Sequence, residues 1–250
     1  MIDICMLIHN RPRITTASLA EIHNRTTTPH RLIVYDNGSD EGTRVILQEF
    51  QMAGIIDLVV FSQENNGVHW GHNKLLERVE TPLFVSTDND IIPESPVDGV
   101  DWLAKLIYLM EENEDYAAIA CRPHAMIGDN VNRMFPPDAP PIVERGHVGA
   151  VLRLMRTQAV IEVGGWDQVK RPSRNHEERW ICKRLREAGY KVGYSAQTYA
   201  LHLWGNPNNG EDEWGYDGEM APEDHGHREI WPPPSRSNWY NKGVDWVTCR

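Results

Sequence analysis

Cysteine is scarce: Cys5, Cys121, Cys182 and Cys249 are the only four in 250 residues, far apart and without a C-x-x-C pair. That spacing argues against a zinc cluster and against a disulfide framework, and a reducing cytoplasm is the expected setting. No run of about 18 apolar residues occurs, so no membrane-spanning helix is expected. The opening MIDICMLIHNRP holds one apolar strand's worth of residues, then Asn10-Arg11-Pro12, with no small-residue cleavage site. A soluble, unprocessed chain is the expectation. Basic residues are also short: Lys+Arg 25 against Asp+Glu 36, a net charge of -11. Nucleic acid and anionic membranes reward clustered Lys and Arg, so this balance disfavours both, although an acidic protein can hold a polyanion through a local device. Finally, no G-x-G-x-x-G follows the first apolar run and no G-x-x-x-x-G-K-[ST] occurs, which argues against dinucleotide oxidoreductases and P-loop enzymes.

What is present is a regular alternation. The β-branched runs IDICMLI, RLIVYD, IDLVVF, PLFVSTD and YAAIAC are separated by segments of helical periodicity, placed at residues 14–25, 42–53, 68–79 and 97–112. This is the pattern of an α/β protein with a mostly parallel central sheet and flanking helices. Regular structure is expected to lapse through residues 124–146, which carry Pro136, Pro137, Pro140 and Pro141. It returns with a strand at 148–156, a short helix at 157–164, a helix at 176–190, and final strands at 191–195 and 198–204. The expected division is a catalytic-type domain at 1–204, with halves at 1–121 and 122–204, and an irregular tail at 205–250. The last 48 residues hold five of the nine tryptophans and nine acids against four bases, with little periodicity. They are read as an aromatic tail packed on the domain, able to serve as a lid or acceptor wall.

In an open α/β sheet, ligands gather at the carboxyl ends of the strands. The first four runs end there in polar clusters: His9-Asn10-Arg11-Pro12, Asp36-Asn37-Gly38-Ser39-Asp40, Glu64-Asn65-Asn66-Gly67 and Asp88-Asn89-Asp90. Two carboxylates spaced by one residue at a strand end can hold a hard divalent cation that bridges diphosphate oxygens, although a D-x-D also occurs in plain turns.

These clusters come in a telling order. Leu7 to Pro12, Val34 to Thr43, Asn65-Asn66-Gly67 leading to His72-Asn73, Asp88-Asn89-Asp90, Gly164-Gly165-Trp166-Asp167, and Glu177-Glu178 leading to Tyr190 together resemble glycosyltransferase family 2, inverting enzymes of GT-A fold. The resemblance covers about residues 2–204. It implies that Asp36, in a turn shaped by Gly38, hydrogen-bonds the nucleotide base, with His9 and Arg11 near base and ribose. A carboxylate there can accept the uracil imide proton. Asn66, Gly67, His72 and Asn73 resemble the family's N-x-G-x-x-x-A-R-N, with Gly71-His72 standing for Ala-Arg. Neutral imidazole is a poorer phosphate partner than guanidinium.

By the same resemblance Asp90 ligates the metal, Asp88 reaches the ribose or a metal-bound water with Asn89 between them, and His202 supplies a third metal-site group. Its rival reading is a core histidine in an apolar strand. Carboxylate and imidazole together suit manganese, with magnesium the second choice. Glu178 stands at the family's catalytic-base position, one methylene longer than the usual Asp, and Glu177 is able to share the role. The competing reading of both acids is that they complement a helix N-terminus. Trp180 is expected to stack on the acceptor. Trp166 divides evenly between core packing and contact with the donor sugar, and Gly149 brings backbone near it.

The function expected from all this is metal-dependent, inverting transfer of a hexose from a nucleoside-diphosphate sugar, UDP favoured, to a hydroxyl acceptor. The acceptor is left open among glycan, protein, small molecule and modified base. Two alternatives stand beside it. A nucleotidyltransferase would carry a basic Gly-rich loop where His9-Asn10-Arg11-Pro12 stands. A non-catalytic carbohydrate-binding or assembly protein would use the aromatic tail as its surface.

Overall fold

A computed structural model describes residues 1–123, 135–136, 138–167 and 177–203. The expected tail at 205–250 lies outside the described residues, as do Trp204, Cys249 and most of the proline-rich stretch. In chain order the described elements are β1 (Ile2–Ile8), α1 (Pro12–Arg25), β2 (His30–Asp36), α2 (Glu41–Met52), β3 (Leu58–Phe61), α3 (Val68–Leu76), β4 (Leu83–Asp88) and β5 (Ile91–Pro93). There follow α4 (Trp102–Glu111), β6 (Tyr116–Pro123), β7 (Ile142–Glu144), β8 (Arg153–Arg156), α5 (Thr157–Glu162), α6 (Glu177–Glu187) and β9 (Lys191–His202).

The strands form one sheet in the order β3-β2-β1-β4-β8-β6-β9-β5, with β7 also on β9. From β3 to β4 every pairing is parallel, and β6 pairs parallel with β9. β8 enters antiparallel between β4 and β6, and β5 and β7 are antiparallel to β9. The fold is thus α/β with a mostly parallel central sheet and flanking helices. Every residue of β1 is buried, as expected of a strand covered on both faces. Its side chains alternate: Ile4, Met6 and Ile8 join the core under α1, α2 and α4, whereas Cys5 and Leu7 join the core under α3, α5 and α6.

Four local features differ from the sequence reading. The helix expected from residue 97 begins at Trp102, because Val97 and Val100 pair across a tight turn with Asp98 and Gly99 at positive φ. Asp101 then caps α4, accepting from Ala104 N at 2.8 Å. Within the proline-rich stretch, β7 forms directly after Pro141. Its β-branched Ile142 and Val143 follow the last proline and find a free sheet edge on β9. The two final strands are a single strand, β9, whose register on β6 shifts between Cys121 and Arg122. The strand expected at 148–156 is regular only from Arg153, after a turn with Leu152 at φ 47. Among the described cysteines, Cys5, Cys121 and Cys182 are free and buried. No helix among the described residues is long and apolar enough to cross a membrane.

Candidate active site

The polar clusters meet at the carboxyl edge of β1, β2 and β4. The Asn37 N–H bonds Ile8 O, Asn10 N donates to Ser39 Oγ at 2.8 Å, and Asp40 N donates to Asn10 Oδ1 at 2.8 Å. Asn37 reaches the third loop, donating to Asn65 Oδ1 and accepting from Asn66 N at 3.0 Å. Gly38 is required where these loops touch: its φ is +75°, and a Cβ would sit 2.4 Å from the Glu64 carbonyl carbon. Gly67, at φ 86, opens α3, and Asn66 is buried with its amide on Ser62 Oγ and Glu64 O.

Asp36, expected to face the base, is fully buried. Its carboxylate accepts the Ser39 amide at 3.1 Å and Arg44 Nε at 3.1 Å, so in this structure it holds the turn rather than facing a ligand. His9 is exposed on the rim. Arg11 takes the left-handed conformation at the start of α1. Its guanidinium donates to Asp90 Oδ2 at 2.8 Å and to Leu203 O at 3.2 Å.

The D-N-D turn joins β4 to β5, and the β5–β9 pairing sets Ile91 opposite His202. Here His202 is half-buried beside the turn, with Nε2 3.3 Å from Asp90 Oδ1. Asn89 instead points inward, its amide donating to Thr15 Oγ1 at 2.7 Å and fixing α1. Burial pushes the Asp88 carboxyl well above the usual range, reinforced by the charges of Asp90 and Glu177. Asp90 is also buried, but His202 and then Arg11 hold its carboxyl below that range. His202 is held up by Asp90, which outweighs its own burial.

Among the described residues no three His, Cys, Asp or Glu side chains stand as a preformed metal cluster. The donors nevertheless suit a divalent ion. Ligand atoms bound at about 2.1 Å and at right angles lie about 3 Å apart, close to the Asp90–His202 separation. Asp90 Oδ1 is buried and outside hydrogen-bond geometry.

Behind Asp88 lies a buried network that the sequence reading did not find. Arg153 of β8 is fully buried and donates through Nη2 to both Glu177 oxygens, at 3.2 and 3.3 Å, and to Ser86 Oγ at 3.3 Å. The indole N–H of Trp166 also donates to Glu177 Oε2. Trp166 is 1% exposed and stacks on His72 with ring centroids 4.9 Å apart, so it packs in the core and presents no open face to a sugar. His72 is likewise 1% exposed and its side chain faces Ser86 and Glu177, not a phosphate site. Burial lowers its pKa to about 4. Asn73 clamps the Gly164-Gly165-Trp166 turn, accepting from Trp166 N at 2.9 Å and donating to Trp166 O at 3.1 Å.

The two adjacent acids therefore differ. Glu177 is buried, and its carboxylate is held below the ordinary range by Arg153 and then His72 against the opposing effect of burial. Glu178 is half-buried one residue on. Trp180, 45% exposed, lies on the same helix. Gly149 donates its N–H to the Tyr194 hydroxyl at 2.8 Å. Arg153 carries a faint sequence signal: one cation amid the apolar residues Val151, Leu152, Leu154 and Met155.

The glycosyl transferase family 2 model matches residues 3–183. The chain belongs to that family. No curated protein matches the sequence. Among solved structures, the family 2 chain is similar to the mannosyltransferase PcManGT from Pyrobaculum calidifontis in complex with GDP-Man and Mn2+. The identity is 16% and the TM-score 0.62, with 78% of this chain and 56% of that one covered. It is also similar to S. aureus TarS 1-349 in complex with UDP-GlcNAc, at 14% identity and TM-score 0.64, covering 90% and 63%. GalNAc-T7 with UDP, GalNAc and Mn2+ follows at 11% identity and TM-score 0.61, covering 82% and 44%. At these identities the likeness establishes the GT-A fold, and the chain spans less than two thirds of each of these structures.

Proposed function

We propose that this family 2 chain is a metal-dependent, inverting glycosyltransferase that moves a hexosyl group from a nucleoside-diphosphate sugar, UDP favoured, to a hydroxyl acceptor. The observation that carries the reading is the meeting of Asp88, Asp90 and His202 at the carboxyl edge of the sheet, with the acid-headed helix α6 on the far side of Arg153. Asp90 and His202 would hold the cation, Mn2+ before Mg2+, with Asp88 on ribose or on a bound water. When present, the ion supplies positive charge for the departing diphosphate. The Arg11 guanidinium, now on Asp90, is a second source of positive charge there. Two of the similar structures are complexes with UDP or UDP-GlcNAc, which supports the choice of base.

In this reading Glu178 takes the proton from the acceptor hydroxyl as its oxygen attacks the anomeric carbon from the face opposite the diphosphate. One bond forms and one breaks in a single displacement, so the configuration inverts. Glu177 serves as a positioning residue: bound to Arg153 and Trp166, it fixes the first turn of α6 and thereby Glu178. Exposed Trp180 offers a surface for the acceptor. The three unpaired thiols suit the reducing cytoplasm.

The test is the purified chain with Mn2+ and a panel of nucleotide sugars, read as nucleotide release and as thermal shift with nucleoside diphosphates. Turnover of one donor and a shift with its nucleotide are expected. No turnover and no shift across the panel would refute the reading, and pyrophosphate release from a nucleoside triphosphate would favour a nucleotidyltransferase instead.

A further inference from the structure

A cavity of about 320 Å³ opens beside the end of β6 and is lined by Arg122, Phe135, Pro136, Ala139, Pro141, Ala196 and Gln197. This volume sits at the small end of the range for small-molecule sites. Gln197 and one cation stand among its side chains, and no acid among the described residues lines it. The guanidinium of Arg122 is sandwiched between rings, 5.8 Å from the centroid of Phe135 and 5.7 Å from that of Tyr199. Such stacking fixes the plane of the fork. Among the described residues no hydrogen bond satisfies its buried Nε. The acid whose charge Arg122 reaches, Glu94, is already paired with Lys105 at 2.7 Å.

The cavity also lies on the acceptor side. β6 runs parallel with β9 and opposite to β8, which is itself opposite to β4, so the end of β6 is at the same sheet edge as Asp88. Arg122 pairs with Tyr199, three residues before His202 on β9. At about 3.3 Å per strand residue Tyr199 stands about 10 Å from His202 along β9. Phe135 meets Tyr194 edge-on at 6.1 Å. Tyr194 in turn is close enough to α6 that, after burial, the Glu178 carboxylate is among the charges that raise its pKa.

We infer that this cavity is the acceptor subsite and that Arg122 selects an acceptor carrying an anionic group, a phosphate or a carboxylate. The planar fork matches either anion in bidentate fashion. The inference rests on the glycosyltransferase reading and adds the class of acceptor to it. A charge-assisted contact of this kind corresponds to a preference of about tenfold or more over a neutral analogue.

The experiment uses the full chain with UDP and Mn2+ and measures binding of glucose, glucose 6-phosphate and glucuronate by ligand-detected NMR. The same is done for Arg122→Gln and Arg122→Lys, with UDP affinity measured on every sample. The expected result is that at least one anionic sugar binds wild type about tenfold or more tightly than glucose, the tighter of the two naming the anion. That preference disappears in Arg122→Gln, persists in part in Arg122→Lys, and UDP affinity is unchanged. Equal binding of charged and neutral sugars to wild type, or a preference that survives in Arg122→Gln, overturns the inference while leaving the donor reading intact. An anion preference without UDP binding leaves the anion site standing and overturns the choice of UDP as donor.

Discussion

Replacing Glu177 by Gln and, separately, Glu178 by Gln separates two acids that sequence alone leaves equivalent. In Glu177→Gln the side chain keeps its size and an acceptor oxygen, so what is lost is the charge. Arg153 is fully buried, and the partners left to it are the Ser86 hydroxyl, the Val148 carbonyl and the face of Trp166. An uncompensated buried cation of this kind costs about 3–5 kcal/mol. For a chain of this size each kcal/mol lowers the melting temperature by about 2–4 °C, so a fall of about 6 °C or more is expected by calorimetry. Glu178 is half-buried, and Gln in its place should leave the melting temperature within about 2 °C. Transfer in that variant should fall by about 10²–10⁴, the range for a lost general base, with donor binding retained. Melting of Glu177→Gln together with wild type would refute the reasoning about the buried pair, and unchanged transfer in Glu178→Gln would refute the assignment of the base.

Three further outcomes are expected. Because burial depresses the folded pKa of His72 to about 4, the unfolded chain binds the extra proton first. Stability is therefore full above pH 6.5 and declines as pH falls toward 4, by about 2 kcal/mol at pH 5. Urea unfolding at pH 7 and pH 5 should show this decline, and His72→Gln should lack this part of it. Gly38→Ala, forced to positive φ with its Cβ 2.4 Å from the Glu64 backbone, should cost about 1–3 kcal/mol and weaken nucleotide binding. Gly54→Ala also has positive φ but meets nothing within 4 Å, so it should affect stability without affecting the nucleotide. His202→Ala should move the Mn2+ titration of activity by about tenfold or more, and an unmoved titration would return His202 to the core.

The sequence made the parallel half of the sheet legible because each of its strands is a short β-branched run next to a helix of clear periodicity. It failed at β5 and β7, three residues each, where pairing with β9 supplies the structure and local pattern does not. The site was legible as a set of strand-end clusters, since residues that end parallel strands must share one edge. It was not legible as a set of roles. His72, Asn73, Asn89 and Trp166 all belong to the motifs, yet each is spent on holding a loop or helix, and only tertiary contact reveals that. Arg153 lies in no motif, although a lone cation in an apolar run is a signal that a buried partner exists.

Arginine pairing explains how an acidic chain assembles this site before any ligand arrives. Asp36 is held by Arg44, Asp90 by Arg11 and Glu177 by Arg153, at N···O distances of 3.1, 2.8 and 3.2 Å. Each of these three acids is thus neutralised by a cation from another element: α2, the start of α1 and β8 respectively. The three pairs are not equivalent. Arg153 is sealed in the core, so its bond to Glu177 is permanent architecture. Arg11 and Asp90 are partly accessible at the sheet edge, so in the proposed function a bound cation would take Asp90 and leave the guanidinium for phosphate. Under that proposal the charge rearranged on binding would be confined to the Arg11–Asp90–His202 corner, with the buried Arg153–Glu177 pair beneath it unchanged.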